Sequence, residues 1–174
     1  MAEKWTTAAL TADLAARMAA DRWLVAREAT VVEPTYGSSA EHYRQTARGG
    51  RADLLCMRRK LDEQPMLIIE VKVSNADLMA DLRAEKWRTY LKAGAVAFAM
   101  PAVLAADPLR IPLEAGLIAR IARGWRWIRE PNFKAAPMPT PYLYRRMALT
   151  ATDQAWLDGR NTERRRVLEQ GGGL

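Results

Sequence analysis

The most constraining stretch of the chain is residues 66–73, MLIIEVKV, in which six apolar residues are interrupted by one carboxylate and one ammonium. A short, nearly continuous apolar run rich in Ile and Val predicts a strand buried on both faces. Residues two apart on a strand share a face, so Glu70 and Lys72 leave this interior strand on the same side. Removing a charge from water is costly unless it is paired or bound to a metal. Any fold of this chain must therefore place compensating groups beside positions 70 and 72.

Asp53 is the first candidate for that role. It lies in residues 51–59 (RADLLCMRR), a second strand candidate separated from the first by a polar turn over 60–65. A hairpin centred near Asp62-Glu63 sets Asp53 roughly opposite Lys72 and one diagonal step from Glu70. Two carboxylates and one ammonium then occupy an area the size of a metal site. Such a pair of carboxylates binds Mg²⁺ or Mn²⁺ through oxygen and leaves water in the coordination shell. The metal lowers the pKa of that water, and a neighbouring lysine orients it or neutralises developing charge. Phosphodiester hydrolysis asks for this set. A buried salt bridge between strands is the alternative use of the same residues.

The rest of the chain supplies the frame. Residues 7–23 predict a helix capped by Thr6 or Thr7, with Leu10, Leu14, Ala15, Met18 and Trp23 as its apolar stripe. Residues 29–36 form a β-branched segment, and 37–50 a long polar loop. Residues 75–93 predict one helix, begun by Ser74 or Asn75 and stopped by Gly94. With Leu78 at 0° on its wheel, Lys86 falls at about 80°, inside the apolar arc, and Asp77, Asp81, Glu85, Arg88 and Lys92 fall opposite. Lys86 either snorkels outward or reaches over the strand ends as a phosphate contact. Trp87 is expected to pack.

Residues 95–100 (AVAFAM) predict a buried strand, and 115–121 with 125–129 a final pair turned at Arg123-Gly124. Trp125 and Trp127 share a face of the last strand and suit core packing. The order helix, three strands, helix, strand gives an α/β fold with a mixed central sheet flanked by helices. One domain is expected over 1–150. A Pro-rich segment over 131–141 lies within it, and a basic helix and tail over 151–174 follow.

Composition narrows the function. The formal charge is +7, from 27 Lys+Arg against 20 Asp+Glu, which favours polyanionic partners such as DNA. One cysteine (Cys56) and one histidine (His42) leave too few ligands for a closed zinc site and suit a reducing cytoplasm. No stretch is apolar enough to span a membrane.

The element order, with Asp53 in R-A-D-L-L and Glu70-Val71-Lys72 on the next strand, resembles the core of the PD-(D/E)XK nuclease superfamily, the restriction-endonuclease-like fold. The MmcB-like family of bacterial DNA repair proteins is similar over residues 10–130. The shared segments are Val31-Val32-Glu33, Gly50-Arg51-Ala52-Asp53, Ile68 to Lys72, Lys86-Trp87-Arg88-Thr89-Tyr90 and the segment from Pro112 to Ile118. No proline directly precedes Asp53, a departure from the common superfamily pattern. The resemblance implies a Mg²⁺- or Mn²⁺-dependent deoxyribonuclease in DNA repair or processing. Asp53, Glu70 and the Val71 backbone carbonyl would hold the metal, with Lys72 catalytic and Glu33 and Lys86 accessory. A non-catalytic nucleic-acid-binding protein on the same scaffold is a second reading, and a structural or partner-binding module whose basic charge is incidental is a third.

Around this centre, Arg44, Arg48 and Arg51 are candidate phosphate contacts at the mouth of the site, together with Lys86. His42 is an exposed loop residue or a proton-transfer assistant. Arg160, Arg164, Arg165 and Arg166 give the terminal helix a basic face, either solvated or set against a DNA backbone.

Overall fold

A computed structural model of the chain describes residues 5–31, 50–58 and 65–138, with the single position 151. Glu33, His42, Arg44, Arg48, the end of the Pro-rich segment and the expected basic helix lie outside the described residues.

Helix α1 (Thr7–Ala20) starts where Thr6 Oγ1 accepts from the Ala9 amide at 3.2 Å. Its buried stripe is Leu10, Leu14 and Met18. The next turn of that stripe would fall on positions 21 and 22, which are Asp and Arg, and the helix stops there. Arg22 turns through a left-handed backbone (φ 66°), and strand β1 (Trp23–Val31) begins at once. Trp23 is thus a strand residue rather than the last residue of the helix, and the strand expected over 29–36 starts six residues earlier.

Among the described residues, six strands run in the order β1-β2-β3-β4-β5-β6 across one sheet. They are β1, β2 (Gly50–Arg58), β3 (Leu67–Val71), β4 (Ala95–Pro101), β5 (Gly116–Ile121) and β6 (Gly124–Arg129). The first three are antiparallel neighbours, β3, β4 and β5 are parallel, and β5 and β6 close as a hairpin. Gly124 sits at φ 122°, a backbone shape that suits glycine at this hairpin turn.

Each face of the sheet has its own core. Alternation along β4 shows the division: Ala95, Ala97 and Ala99 face α1, and Val96, Phe98 and Met100 face the other helical layer. Leu10, Leu14 and Met18 pack over the small side chains with Leu54, Ile69 and Ile118, and Trp125 and Trp127 flank them. Opposite, Leu78, Trp87 and Tyr90 cover Ile68, Val96 and Phe98. This is the α/β architecture with a mixed sheet between helical layers that the element order implies.

The second helical layer corrects the sequence reading. Residues 75–93 form two helices, α2 (Asn75–Ala84) and α3 (Lys86–Leu91), broken at Glu85 with φ 50°. A single wheel through 75–93 therefore loses its phase at position 85. Among the described residues, no helix is long and apolar enough to cross a membrane.

Candidate catalytic centre at the β2–β3 divide

Strands β2 and β3 pair as Leu54↔Ile69, Leu55↔Ile68 and Cys56↔Leu67, and the ladder ends there. Extended by one step, this register sets Asp53 opposite Glu70 rather than Lys72. Moving a hairpin's centre by one residue moves every pairing by two, which accounts for the difference. The missing rung is replaced: Asp53 Oδ2 accepts from the Val71 amide at 2.7 Å. The N–H and C=O of a strand residue point to the same side, so the Val71 carbonyl faces this gap too.

Glu70 and Lys72 are both buried, at 2% and 5% exposure. Glu70 Oε2 accepts from Lys72 Nζ at 3.0 Å, and Oε1 accepts from Lys86 Nζ at 3.1 Å. Lys86 also donates to the Arg51 carbonyl at 2.9 Å and lies 5.2 Å from the centre of the Tyr90 ring. On its far side Lys72 Nζ is 2.8 Å from Asp81 Oδ2, a close ion pair whose angle departs from that of a good hydrogen bond. Glu70 and Asp81 thus hold the two ammonium groups (Lys72, Lys86), and Asp53 lies beside them on the Val71 amide.

The burial has electrostatic consequences. Desolvation raises the pKa of Glu70, and the Asp53 charge adds to this against the opposing pull of Lys72 and Lys86. For Lys72 burial alone would lower the pKa, but Glu70 and Asp81 outweigh it, and the group sits above its ordinary value. Tyr90 is raised by burial and by the Glu70 charge. These two groups are therefore held protonated at neutral pH.

Sequence reasoning found Asp53, Glu70, Lys72 and Lys86, and the structure brings all four together. Arg51 lies at the rim, exposed, 3.5 Å from Glu28. Asp81, Tyr90 and Gly50 were missed as members of the centre. Asp81 is three residues from buried Leu78, only about 60° away on a helical wheel, so it flanks the buried face rather than opposing it. A Cβ at Gly50 would stand 2.3 Å from the Tyr90 hydroxyl and 2.6 Å from Lys86 Cε, which explains a glycine at the first position of β2.

The Tyr90 hydroxyl is buried close to Glu70, whose carboxylate helps to hold its proton, but makes no hydrogen bond of good geometry. Tyr90→Phe is therefore expected to change stability by no more than about 1 kcal/mol in either direction, because one weak contact to Glu70 is lost, one poorly satisfied polar group is removed, and the ring is kept. Urea unfolding midpoints at neutral pH test this, and a larger loss of stability would show that the hydroxyl donates a full hydrogen bond to Glu70 in solution.

The donor set fits a hard divalent cation. Asp53, Glu70 and the Val71 carbonyl are oxygen donors of the kind such an ion takes, and Mg²⁺ ordinarily completes its shell with water or substrate oxygen. Among the described residues, no three His, Cys, Asp or Glu side chains gather to hold a metal without such help. Both Glu70 oxygens face ammonium groups, and Lys86, with a side chain 33% exposed, is the less buried of the two. A separate open cleft of about 380 Å³, lined by Leu82, Trp87, Leu109 and Leu113 among others, contains none of these charged residues.

No protein-family model matches the chain, and no curated protein matches it. Among solved structures the chain is similar to a protein of unknown function from Silicibacter pomeroyi, at 22% identity and a TM-score of 0.51, over 95% of this chain and 92% of that one. That similarity concerns the fold.

Proposed function

We propose that the chain is a Mg²⁺- or Mn²⁺-dependent nuclease that hydrolyses DNA phosphodiester bonds. The observation that carries this reading is the meeting of Asp53, Glu70, Lys72 and Lys86 where the β2–β3 ladder runs out. Buried charge concentrated at one strand end is costly to build and has an immediate use in phosphoryl chemistry.

Asp53, Glu70 and the Val71 carbonyl would hold the metal, which when bound supplies a Lewis acid and an acidified water. The protein's own groups divide the remaining work. Lys72 stays charged between Glu70 and Asp81, so it serves as a hydrogen-bond donor and fixed cation toward the attacking water or the phosphoryl oxygens. It does not serve as the base. Lys86 is the more exposed ammonium and meets the phosphate when it leaves Glu70. Arg51, on the rim beside it, extends the positive edge along a nucleic-acid backbone. The basic charge of the chain favours such a partner. A role in DNA repair or processing in the cytoplasm belongs to the same reading.

One observation favours a second reading, a nucleic-acid-binding protein without catalysis: each Glu70 oxygen already has an ammonium partner. A cleavage panel separates the two. Single-stranded, duplex, flapped and junction DNAs are incubated with Mg²⁺ or Mn²⁺, beside Asp53→Ala and a chelator control. The nuclease reading expects metal-dependent cutting that Asp53→Ala abolishes. Salt-sensitive binding with no cutting on any substrate would establish the second reading instead.

A further inference from the structure

Strands β1 and β2 both break their face alternation at the same rung. In β2, Leu55 and Met57 face the α2–α3 core and Leu54 and Cys56 face the α1 core, as a regular strand requires. Yet Ala52, an even position like Leu54, belongs to the α2–α3 core. In β1, Trp23 and Val25 face α1, but Ala29 and Val31, also odd, face the opposite side with Ala26. The pairing itself is not shifted: Arg27↔Leu54 and Ala29↔Ala52 belong to one register, with the Glu28–Asp53 rung missing between them.

Glu28 stands at that rung with φ 51°, in the left-handed region. A non-glycine residue in this region inside a strand is uncommon and persists only where its surroundings over-determine it. Its side chain does not hold it there. The ion pair with Arg51 is 3.5 Å long with both side chains 68% exposed, and an exposed pair of that kind contributes little. The backbone turn is the feature, and its effect falls on Asp53. Asp53 lies between one segment of β2 facing one way and one facing the other. Its carboxylate therefore lies along the sheet, reaching the Val71 amide at 2.7 Å in place of a backbone rung.

We propose that Glu28 is a positioning residue: its left-handed backbone turns Asp53 edgewise into the β2–β3 gap, and this sets the affinity of the centre for a divalent cation. The ion-affinity part rests on the nuclease reading; the aiming of Asp53 does not. Glycine at position 28 accepts the left-handed shape, whereas a β-branched residue resists it. Outer groups that orient a ligand typically change metal affinity by about 10–100-fold when lost.

The test uses the full chain with Glu28→Gly, Glu28→Val and Glu28→Ala, the last being milder should valine fail to fold. Two readouts are taken: Mn²⁺ binding by calorimetry, and the Val71 amide resonance and its hydrogen exchange by NMR without metal. Glu28→Gly is expected to keep both. Glu28→Val or Glu28→Ala is expected to weaken Mn²⁺ binding about tenfold or more. The same variants should move the Val71 amide as Asp53→Ala does, with the Ile69 amide unmoved. An unchanged Val71 amide in both Glu28→Val and Glu28→Ala overturns the proposal. So does a Glu28→Gly variant as impaired as valine, because the side chain would then be the cause. A wild-type protein that binds no Mn²⁺ but shows the expected Val71 pattern refutes the metal reading and its affinity consequence, and leaves the aiming of Asp53 standing.

Discussion

Lys72→Met is expected to destabilise the protein by about 3 kcal/mol at neutral pH and, under the nuclease reading, to reduce cleavage by about 10²–10³-fold. The first figure follows from the general cost of removing one partner from a buried ion pair, about 3–5 kcal/mol. The lower end applies because Lys86 remains on Glu70. The second follows from the cost of deleting one positioned donor at a reacting centre. The stability loss should depend on pH in a defined direction. Glu70 has its folded pKa raised above the unfolded value. Stability linked to it is fully present below the ordinary carboxylate range and is lost as pH rises through the folded pKa. Removing Lys72 deletes the strongest opposing pull, so the folded pKa rises further. The penalty of Lys72→Met should therefore shrink on acidification, which urea unfolding at about pH 5 and about pH 8 would show. A variant as stable as wild type at neutral pH would mean that Glu70 is solvated in solution.

Phe98→Ala is expected to cost about 3–5 kcal/mol, the usual range for truncating a buried aromatic. Phe98 is fully buried on β4 and pairs across the parallel ladder with Glu70, on the same face of the sheet. Its ring supplies part of the apolar wall that keeps water from that carboxylate. A cavity there has a polar neighbour and so admits water. Desolvation is the largest cause of the raised Glu70 pKa, and hydration should bring the group back toward its ordinary value. Calorimetric unfolding measures the first effect, and carboxyl-carbon NMR titration of Glu70 measures the second. Lost stability with an unmoved titration would show that the wall lies elsewhere.

Much of the centre was legible because burial and charge conflict in residues 66–73. An apolar strand carrying Glu70 and Lys72 announces its own need for partners. The hairpin partner was legible for the same reason, since Asp53 heads an otherwise apolar run. The register was not, because it depends on the turn between the strands and the residues there fit more than one centre. The helix break at Glu85 carried no sequence signal either: Ala84, Glu85 and Lys86 are good helix formers, and neither glycine nor proline marks the place. Lys86 reaches Glu70 all the same, because the break moves it to the start of α3 and its long side chain spans the remainder. The end of α1 did carry a signal. Asp21 and Arg22 occupy the positions where the Leu10–Leu14–Met18 stripe would continue, and Trp23 beyond them belongs to β1. The change of face in β1 and β2 at Glu28 and Asp53 was invisible, because alanines at positions 26, 29 and 52 suit either face.

The two ammonium groups on Glu70 have a consequence for how the protein is made. Lys72 and Lys86 stand where an ion's charge would be needed, so the carboxylate at the end of β3 is neutralised as soon as the sheet and the α2–α3 layer come together. A fold built this way would not wait for a metal, and the loss of one would leave no bare charge in the core. Under the nuclease reading, scarcity of the ion idles the protein without dismantling it, and supply restores it without a new round of folding.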